Sequence, residues 1–267
     1  MDMGIAGKNC LITGGSSGIG KGIAMVLARE GVNLAIASRN PESQAIRELR
    51  EIGTKVEPIS ADVSKEEQVV VMVEKAVKIF GHLDFYVNNA AWTWHEPVTK
   101  LTTESWYNTI NTNLSGAMWA CRTVARHMVK RGNGGIVIIN STCRFTPGYC
   151  ETSYRVSKFG LAALMQNLCI ELAQFGIRVN MVTPGHYVTR LTGWDRFDKN
   201  LVEKLRDNYI PMRRYGEPIE VGGAVALLLS DKVSGYTTGA DIVIDGGLQH
   251  SPIKVISDEQ IISLNKP

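Results

Sequence analysis

The chain has no excess of either charge, no paired cysteines and no long apolar run. Its 267 residues carry 29 Lys and Arg against 26 Asp and Glu, a formal net charge of +3. That near balance argues against a nucleic-acid binder held by a broadly basic surface and leaves only a local patch open. The five cysteines (Cys10, Cys121, Cys143, Cys150, Cys169) are odd in number and hold no CxxC pair, so a disulfide framework is not expected. The five histidines (His82, His95, His127, His186, His250) form no HExxH or other short ligand spacing, and no metal site is expected. No apolar stretch approaches the ~18 residues of a membrane span. The burst from Cys10 to Ile12 is too short for a signal-peptide core. A cytoplasmic location is the expectation. No linker, charge block or low-complexity tract interrupts the chain, so residues 1–267 read as one domain.

What is present is alternation. Short apolar runs at 9–13, 33–38, 55–60, 83–87, 135–140, 177–182 and 240–245 read as strands. Amphipathic stretches at 18–30, 41–52, 65–79, 111–131, 153–175 and 217–229 read as helices. Strand and helix in alternation predict an α/β fold of repeated βαβ units. The result is a doubly wound parallel sheet of about seven strands with helices on both faces. Two segments break the rhythm: residues 184–210, long enough for a substrate loop, and a tail at 248–267 that either frays or crosses to a neighbouring subunit.

The first strand runs into Thr13-Gly14-Gly15-Ser16-Ser17-Gly18-Ile19-Gly20, which opens directly into a helix. Gly14 permits a tight turn, Gly18 lets the backbone approach a pyrophosphate, and Gly20 lets the helix pack on the strand. The unpaired N–H groups of the helix start then face the anion. The second strand ends in Ser38-Arg39-Asn40, without the acid that would accept hydrogen bonds from a ribose diol. A guanidinium there suits a 2′-phosphate, which points to NADP(H); a solvated surface arginine is the plain alternative.

Tyr154 and Lys158 are four apart at the start of a helix and share one face. A lysine ammonium, with a cationic nicotinamide ring, is expected to lower the phenol pKa and make Tyr154 a usable acid/base. Ser141 ends the fifth strand, where its hydroxyl can hold a substrate oxygen beside that phenol.

With these residues in place the chain resembles the short-chain dehydrogenase/reductase family in its ordinary-length form. TGGSSGIG (13–20), Asp62-Val63, Asn88-Asn89-Ala90, Asn111-Thr112-Asn113, Ser141, Tyr154-Arg155-Val156-Ser157-Lys158 and NMVTPG (180–185) occur in family order across about residues 6–247. The resemblance implies a Rossmann-type fold and a role for each matching position. Tyr154 is implied as general acid/base, Lys158 as ribose ligand and tuner of Tyr154, and Ser141 as orienter of the substrate oxygen. Asn113 is implied to hold a water relaying protons to Lys158. Asp62 and Val63 are implied to meet the adenine, and Asn89 and Ala90 to lie along the adenosine. After Pro184-Gly185, Val188 and Thr189 are implied to meet the carboxamide and pyrophosphate. One departure is visible: Ala91 stands where the family usually has glycine, and it adds strain if that position needs positive φ.

Substrate contacts are expected from Trp92, Trp94, His95 and Glu96; from Cys143, Arg144, Tyr149 and Glu151; and from His186, Tyr187 and Trp194. Aromatic faces mixed with polar tips suit a polyol or sugar, whereas Arg144 could instead pair with a substrate carboxylate. Cys143 and Cys150 have no evident neighbouring base and receive no role. The apolar residues of helix 153–175 spread beyond one buried face, and the family commonly oligomerises there, so a homo-oligomer, dimer or tetramer, is expected. The leading reading is an NADP(H)-dependent oxidoreductase interconverting a secondary alcohol and its ketone or lactone. A 3-oxoacyl thioester reductase, with basic residues 126–131 receiving an acidic carrier protein, and a non-catalytic NADP sensor are the competing ones.

Overall fold

Seven apolar segments pair into one parallel sheet: β1 (Asn9–Thr13), β2 (Asn33–Ser38), β3 (Val56–Ser60), β4 (Phe85–Asn88), β5 (Gly134–Ile139), β6 (Ile177–Pro184) and β7 (Asp241–Ile244). The computed structural model describes residues 2–40, 43–189 and 199–251. Strand order is β3-β2-β1-β4-β5-β6-β7, and every neighbouring pair is parallel. The order reverses between β1 and β4, which opens a crevice at the carboxyl ends of those two strands.

Helices α1 (Gly18–Arg29), α2 (Gln44–Glu51), α3 (Glu66–Phe80), α4 (Thr103–Ile110), α5 (Gly116–Arg131), α6 (Thr152–Ala173), α7 (Lys199–Tyr209), α8 (Pro218–Leu229) and α9 (Asp231–Ser234) follow in chain order. Alternate strand residues feed two cores. Leu11, Tyr86, Ile136, Ile138 and Met181 pack with Val73, Val124 and Leu161 of α3, α5 and α6. Ile12, Leu34, Ile36, Val87 and Val137 pack with Ile23, Leu49 and Val225 of α1, α2 and α8. In the second layer α1 and α8 lie in close contact. A Cβ on Gly22 would overlap the Pro218 carbonyl group, so only glycine admits the approach.

Most predicted elements fall within one to three residues of their observed ends. The differences have local causes. α4 went unpredicted, although Thr102 caps it by accepting from the Ser105 amide (3.0 Å). The predicted helix from 111 begins instead with a π turn over Asn111–Ser115. Part of the expected loop at 184–210 is helical as α7, whereas residues 190–198 and 252–267 lie outside the described residues.

At the amino edge of the sheet a buried carboxylate joins β1 to β4. Asp84 accepts from the Asn9 amide (2.9 Å) and from Arg131 Nη2 (3.2 Å), with His82 Nε2 at 3.3 Å and Lys8 Nζ at 3.6 Å. Burial pushes its pKa up, but the Asn9 hydrogen bond, Lys8, Arg131 and His82 outweigh that and hold it below the usual carboxylate value. A depressed carboxylate contributes stability above its unfolded pKa, near ~3.9, and loses it as pH falls through the folded value. Asp84→Asn is therefore expected to cost about 2 kcal/mol at pH 7 in urea unfolding. The gap to the wild type should shrink below pH ~4.

Candidate active site

The crevice begins with backbone chemistry. Gly14 (φ +69°) and Gly18 (φ +51°) take left-handed conformations that L side chains rarely adopt, which turns β1 sharply into α1. Ser17 precedes α1 without a side-chain cap, and no acid occupies the first turn. The positive end of α1 is thus left to an outside anion. Asn89 locks the turn from β4: its Nδ2 donates to the Thr13 and Gly14 carbonyls (3.0 and 3.1 Å). In return Thr13 Oγ1 accepts from the amides of Asn89 (3.1 Å) and Ala90 (3.2 Å).

This changes two expectations. The Asn89 side chain is spent on the turn itself. Gly20 is required because a Cβ there would overlap the Gly14 carbonyl and crowd Asn89 Nδ2, not because of helix-on-strand packing. From β6, Thr189 lies over the turn, 3.3 Å from where a Gly18 Cβ would be, and lines a cleft with Val188, Gly18 and Lys21.

At the end of β2, Arg39 and Asn40 are exposed, and Ser38 Oγ is buried without a hydrogen-bond partner. The Arg39 guanidinium sits 5.9 Å from the Trp92 ring centre. Asp62 Oδ1 accepts from the amide (3.0 Å) and hydroxyl (2.8 Å) of Ser64. Burial raises the Asp62 pKa, but the Ser64 bonds and the Arg39 charge hold it below the usual value. The Val63 carbonyl packs on Gly116 so closely that no side chain fits there. Ala91 is not among the positive-φ residues, so the strain anticipated for it does not arise.

Ser141, Tyr154 and Lys158 converge at the carboxyl end of β5. Ser141 starts a 3-10 turn over Thr142–Arg144, its Oγ accepting from the Cys143 amide (3.3 Å) on the side of Tyr154. Lys158 is buried, donates from Nζ to the Ile139 carbonyl (3.1 Å), and lies 5.5 Å from the Tyr154 ring centre. Burial lowers its pKa from 10.5 to about 8. Burial likewise pushes the Tyr154 phenol well above its ordinary value; Cys143 and Glu151 add to this, and the nearby Ser141 hydroxyl opposes it. The expected lowering rests on Lys158 and a cationic nicotinamide together; of the chain's own contributions, desolvation of the phenolate outweighs the rest.

Asn113 is buried within the π turn, a feature that often marks functional sites. Its Oδ1 accepts from the Trp92 amide (2.7 Å), and its Nδ2 donates to the Trp92 carbonyl (2.9 Å) and Ser157 Oγ (3.0 Å). Ser157 donates in turn to the Tyr154 carbonyl (2.6 Å). The loop after β4 is thereby joined to α6. Sequence reading missed Ser157 as a linker, although the repeated asparagines at 111 and 113 inside a helical stretch were a signal.

The expected substrate-side residues divide. Trp94 is half exposed and Tyr149 fully so. His95 Nδ1 lies 3.9 Å from Glu151 Oε1. Arg144 departs from its expected role: it forms an ion pair with Asp241 of β7 and stacks at 4.2 Å on the Phe145 ring, so its charge is already neutralised. Tyr187 is buried and donates to the Ile244 carbonyl (3.1 Å), which makes it a packing residue. His186 gives its carbonyl to the Gly216 amide (3.0 Å); burial lowers its ring pKa and Asp245 opposes. Burial raises the Cys143 thiol, in keeping with an inert cysteine. Trp194 lies outside the described residues.

Known proteins match this arrangement. A family model described as enoyl-(acyl carrier protein) reductase matches residues 14–249. The chain is 36% identical over 251 residues to the 3-oxoacyl-[acyl-carrier-protein] reductase FabG of Thermotoga maritima, covering 92% of this chain and 99% of that one. It is 36% identical over 249 residues to the L-rhamnose-1-dehydrogenase of Scheffersomyces stipitis, covering 91% and 96% respectively. Among solved structures, a gluconate 5-dehydrogenase from Burkholderia cenocepacia in complex with NADP and tartrate superposes with a TM-score of 0.88 at 28% identity, covering 94% of this chain and 98% of that one. With the parallel sheet, the family-model match and relatives that cover more than nine-tenths of its length, the chain belongs to the short-chain dehydrogenase/reductase family of oxidoreductases.

Proposed function

We propose that the protein is an NADP(H)-dependent oxidoreductase that interconverts a secondary alcohol of a polyol, sugar or similar polar compound and its ketone or lactone. The observation that carries this reading is the convergence of Ser141, Tyr154 and Lys158 beside an uncapped, acid-free helix start. That helix start, with glycine turn and overlying Thr189, fits a dinucleotide pyrophosphate. Ser38, Arg39, Asn40, Asp62 and Val63 would flank its adenosine end, and Pro184, Gly185, Val188 and Thr189 its nicotinamide end. The bound nicotinamide supplies or accepts the hydride.

The chain's own residues handle the oxygen and its proton. Ser141 Oγ orients the substrate oxygen, and Tyr154 Oη exchanges a proton with it. A phenol raised by burial stays protonated near neutrality, which suits proton donation to a ketone. Removing that proton for alcohol oxidation needs added positive charge, from Lys158 and the oxidised ring. The Asn113 side chain is taken up by Trp92 and Ser157, which leaves its main chain in the π turn as the group for a water relay.

Two observations bear on the finer choices. The absence of an acid after β2, with Arg39 exposed and Ser38 Oγ unpartnered, supports NADP(H) over NAD(H). The basic residues 126–131 end α5 at the opposite edge of the sheet, where Arg131 binds the Leu83 carbonyl and Asp84. Arg126 and Lys130 line the groove between α5 and α6, so this segment lends no support at the Ser141–Tyr154 site to a carrier-protein thioester as substrate. A homo-oligomer is part of the same reading, supported by Phe159 and Ile170 exposed on α6 and by an apolar groove between α5 and α6.

Tyr154→Phe is expected to lose ~10²–10⁴-fold in kcat on whichever ketone, sugar, polyol or acyl thioester the wild type turns over, while still binding NADPH. Tight NADPH binding with no turnover across that panel would favour the sensor reading. Arg39→Ala should lower kcat/KM for NADPH by ~10–100-fold, consistent with a lost charge-assisted bond, and leave NADH nearly unaffected. Because the lowered Lys158 value means its ammonium is lost as pH rises through about 8, ketone reduction should decline above that pH. Lys158→Met should remove the inflection along with most of the rate.

A further inference from the structure

The loops after β4 and β5 are tied together beside the Ser141–Tyr154–Lys158 cluster. The Glu96 amide donates to the Cys150 carbonyl (3.2 Å), and Cys150 holds a left-handed backbone (φ +63°) rare for a non-glycine residue. Glu151 follows, at the start of α6. A carboxylate in that position ordinarily turns back onto the first-turn amides, but here it makes no cap bond. It rests against Gly148, where no Cβ would fit, and reaches toward His95 at 3.9 Å. Glu151 stands three residues before Tyr154 and so on the same side of the first turn of α6, and its charge acts on both Tyr154 and Cys143.

Among the described residues the nearby cations act on that charge only from a distance, His95 at 3.9 Å and Arg155 without a hydrogen bond to it. Arg144 is held by Asp241, and Arg155 donates to the Arg144 carbonyl (3.3 Å) and stacks on Phe159 at 5.3 Å. Under the same loops Glu96 Oε1 is buried without a hydrogen-bond partner among the described residues, a second oxygen that can only accept when ionised. Trp94 and Tyr149 present exposed aromatic faces from these two loops.

We propose that Glu151 is a specificity-determining residue that accepts a hydrogen bond from a hydroxyl adjacent to the reacting carbinol of a neutral polyhydroxy substrate and excludes substrates carrying a carboxylate there. The assignment rests on the alcohol-oxidoreductase reading above and narrows it. A carboxylate needs donors, and a vicinal diol supplies one next to the oxygen held by Ser141 and Tyr154. The same charge repels an aldonate, so one residue both attracts and rejects. Burial raises the pKa of Glu151, against His95 and Arg155, as befits a carboxylate with few donors of its own.

The test is initial-rate oxidation with NADP⁺ of L-rhamnose, D-glucose and xylitol against D-gluconate, for the intact wild type and Glu151→Gln. The wild type should prefer its best neutral substrate to gluconate by tenfold or more in kcat/KM, and Glu151→Gln should bring that ratio within about threefold. NADPH fluorescence titration and thermal melting check the fold of the variant. Should the glutamine variant not fold, Glu151→Asp keeps the charge and is expected to raise the KM for the neutral substrate while still rejecting gluconate. Turnover of neutral sugars with the preference unchanged in Glu151→Gln, or equal use of gluconate by the wild type, overturns the assignment alone. Reduction of 2-butanone or an acetoacetyl thioester with no carbohydrate turned over overturns the substrate reading and the assignment with it.

Discussion

The reversal of strand order between β1 and β4 is the constraint on which the rest of the site depends. A parallel sheet that winds both ways must part its loops at that point, and the crevice would collapse or splay without a tie across it. Asn89 and Thr13 supply the tie with four hydrogen bonds between the two strand ends. One side chain thus shapes the glycine turn from beneath, while the loop that follows it runs to Trp92. There Asn113 takes over, carrying the connection through Ser157 to the backbone of Tyr154. The anion-binding end and the proton-transfer end are two ends of one hydrogen-bonded path.

Along that path burial does most of the electrostatic tuning. It lowers Lys158 toward neutrality and raises Tyr154 away from it, so the two groups move apart in pKa. A pair set in this way responds strongly to any further charge brought between them, because the low dielectric leaves little solvent to screen it. Burial thereby favours the protonated phenol, and the balance between its two forms depends on the charge around it.

The pocket side is formed by groups with other obligations. Arg144 is drawn off to Asp241, Tyr187 reaches back to the Ile244 carbonyl, and Glu96 gives its amide to Cys150. These commitments fix loop geometry, while Glu151 stays uncapped and Trp94 and Tyr149 exposed. The chemical character of the pocket is thus what remains after the fold has claimed its own partners.

Periodicity and motif order determined the parallel sheet, the glycine turn, the lack of an acid after β2 and the Ser141–Tyr154–Lys158 set, because each is local or repeats along the chain. A strand's alternation and a four-residue helical spacing are written in neighbouring residues. Only the tertiary structure decided which partner each side chain found. Arg144 and Asp241 are 97 residues apart, Asn89 and Thr13 are 76 apart, and Asn113 and Ser157 are 44 apart. The π turn, the burial of Tyr154 and the uncapped Glu151 were equally out of reach. Each is set by burial and by contacts across the fold, and residue type alone does not say which of several competing partners a polar group will take.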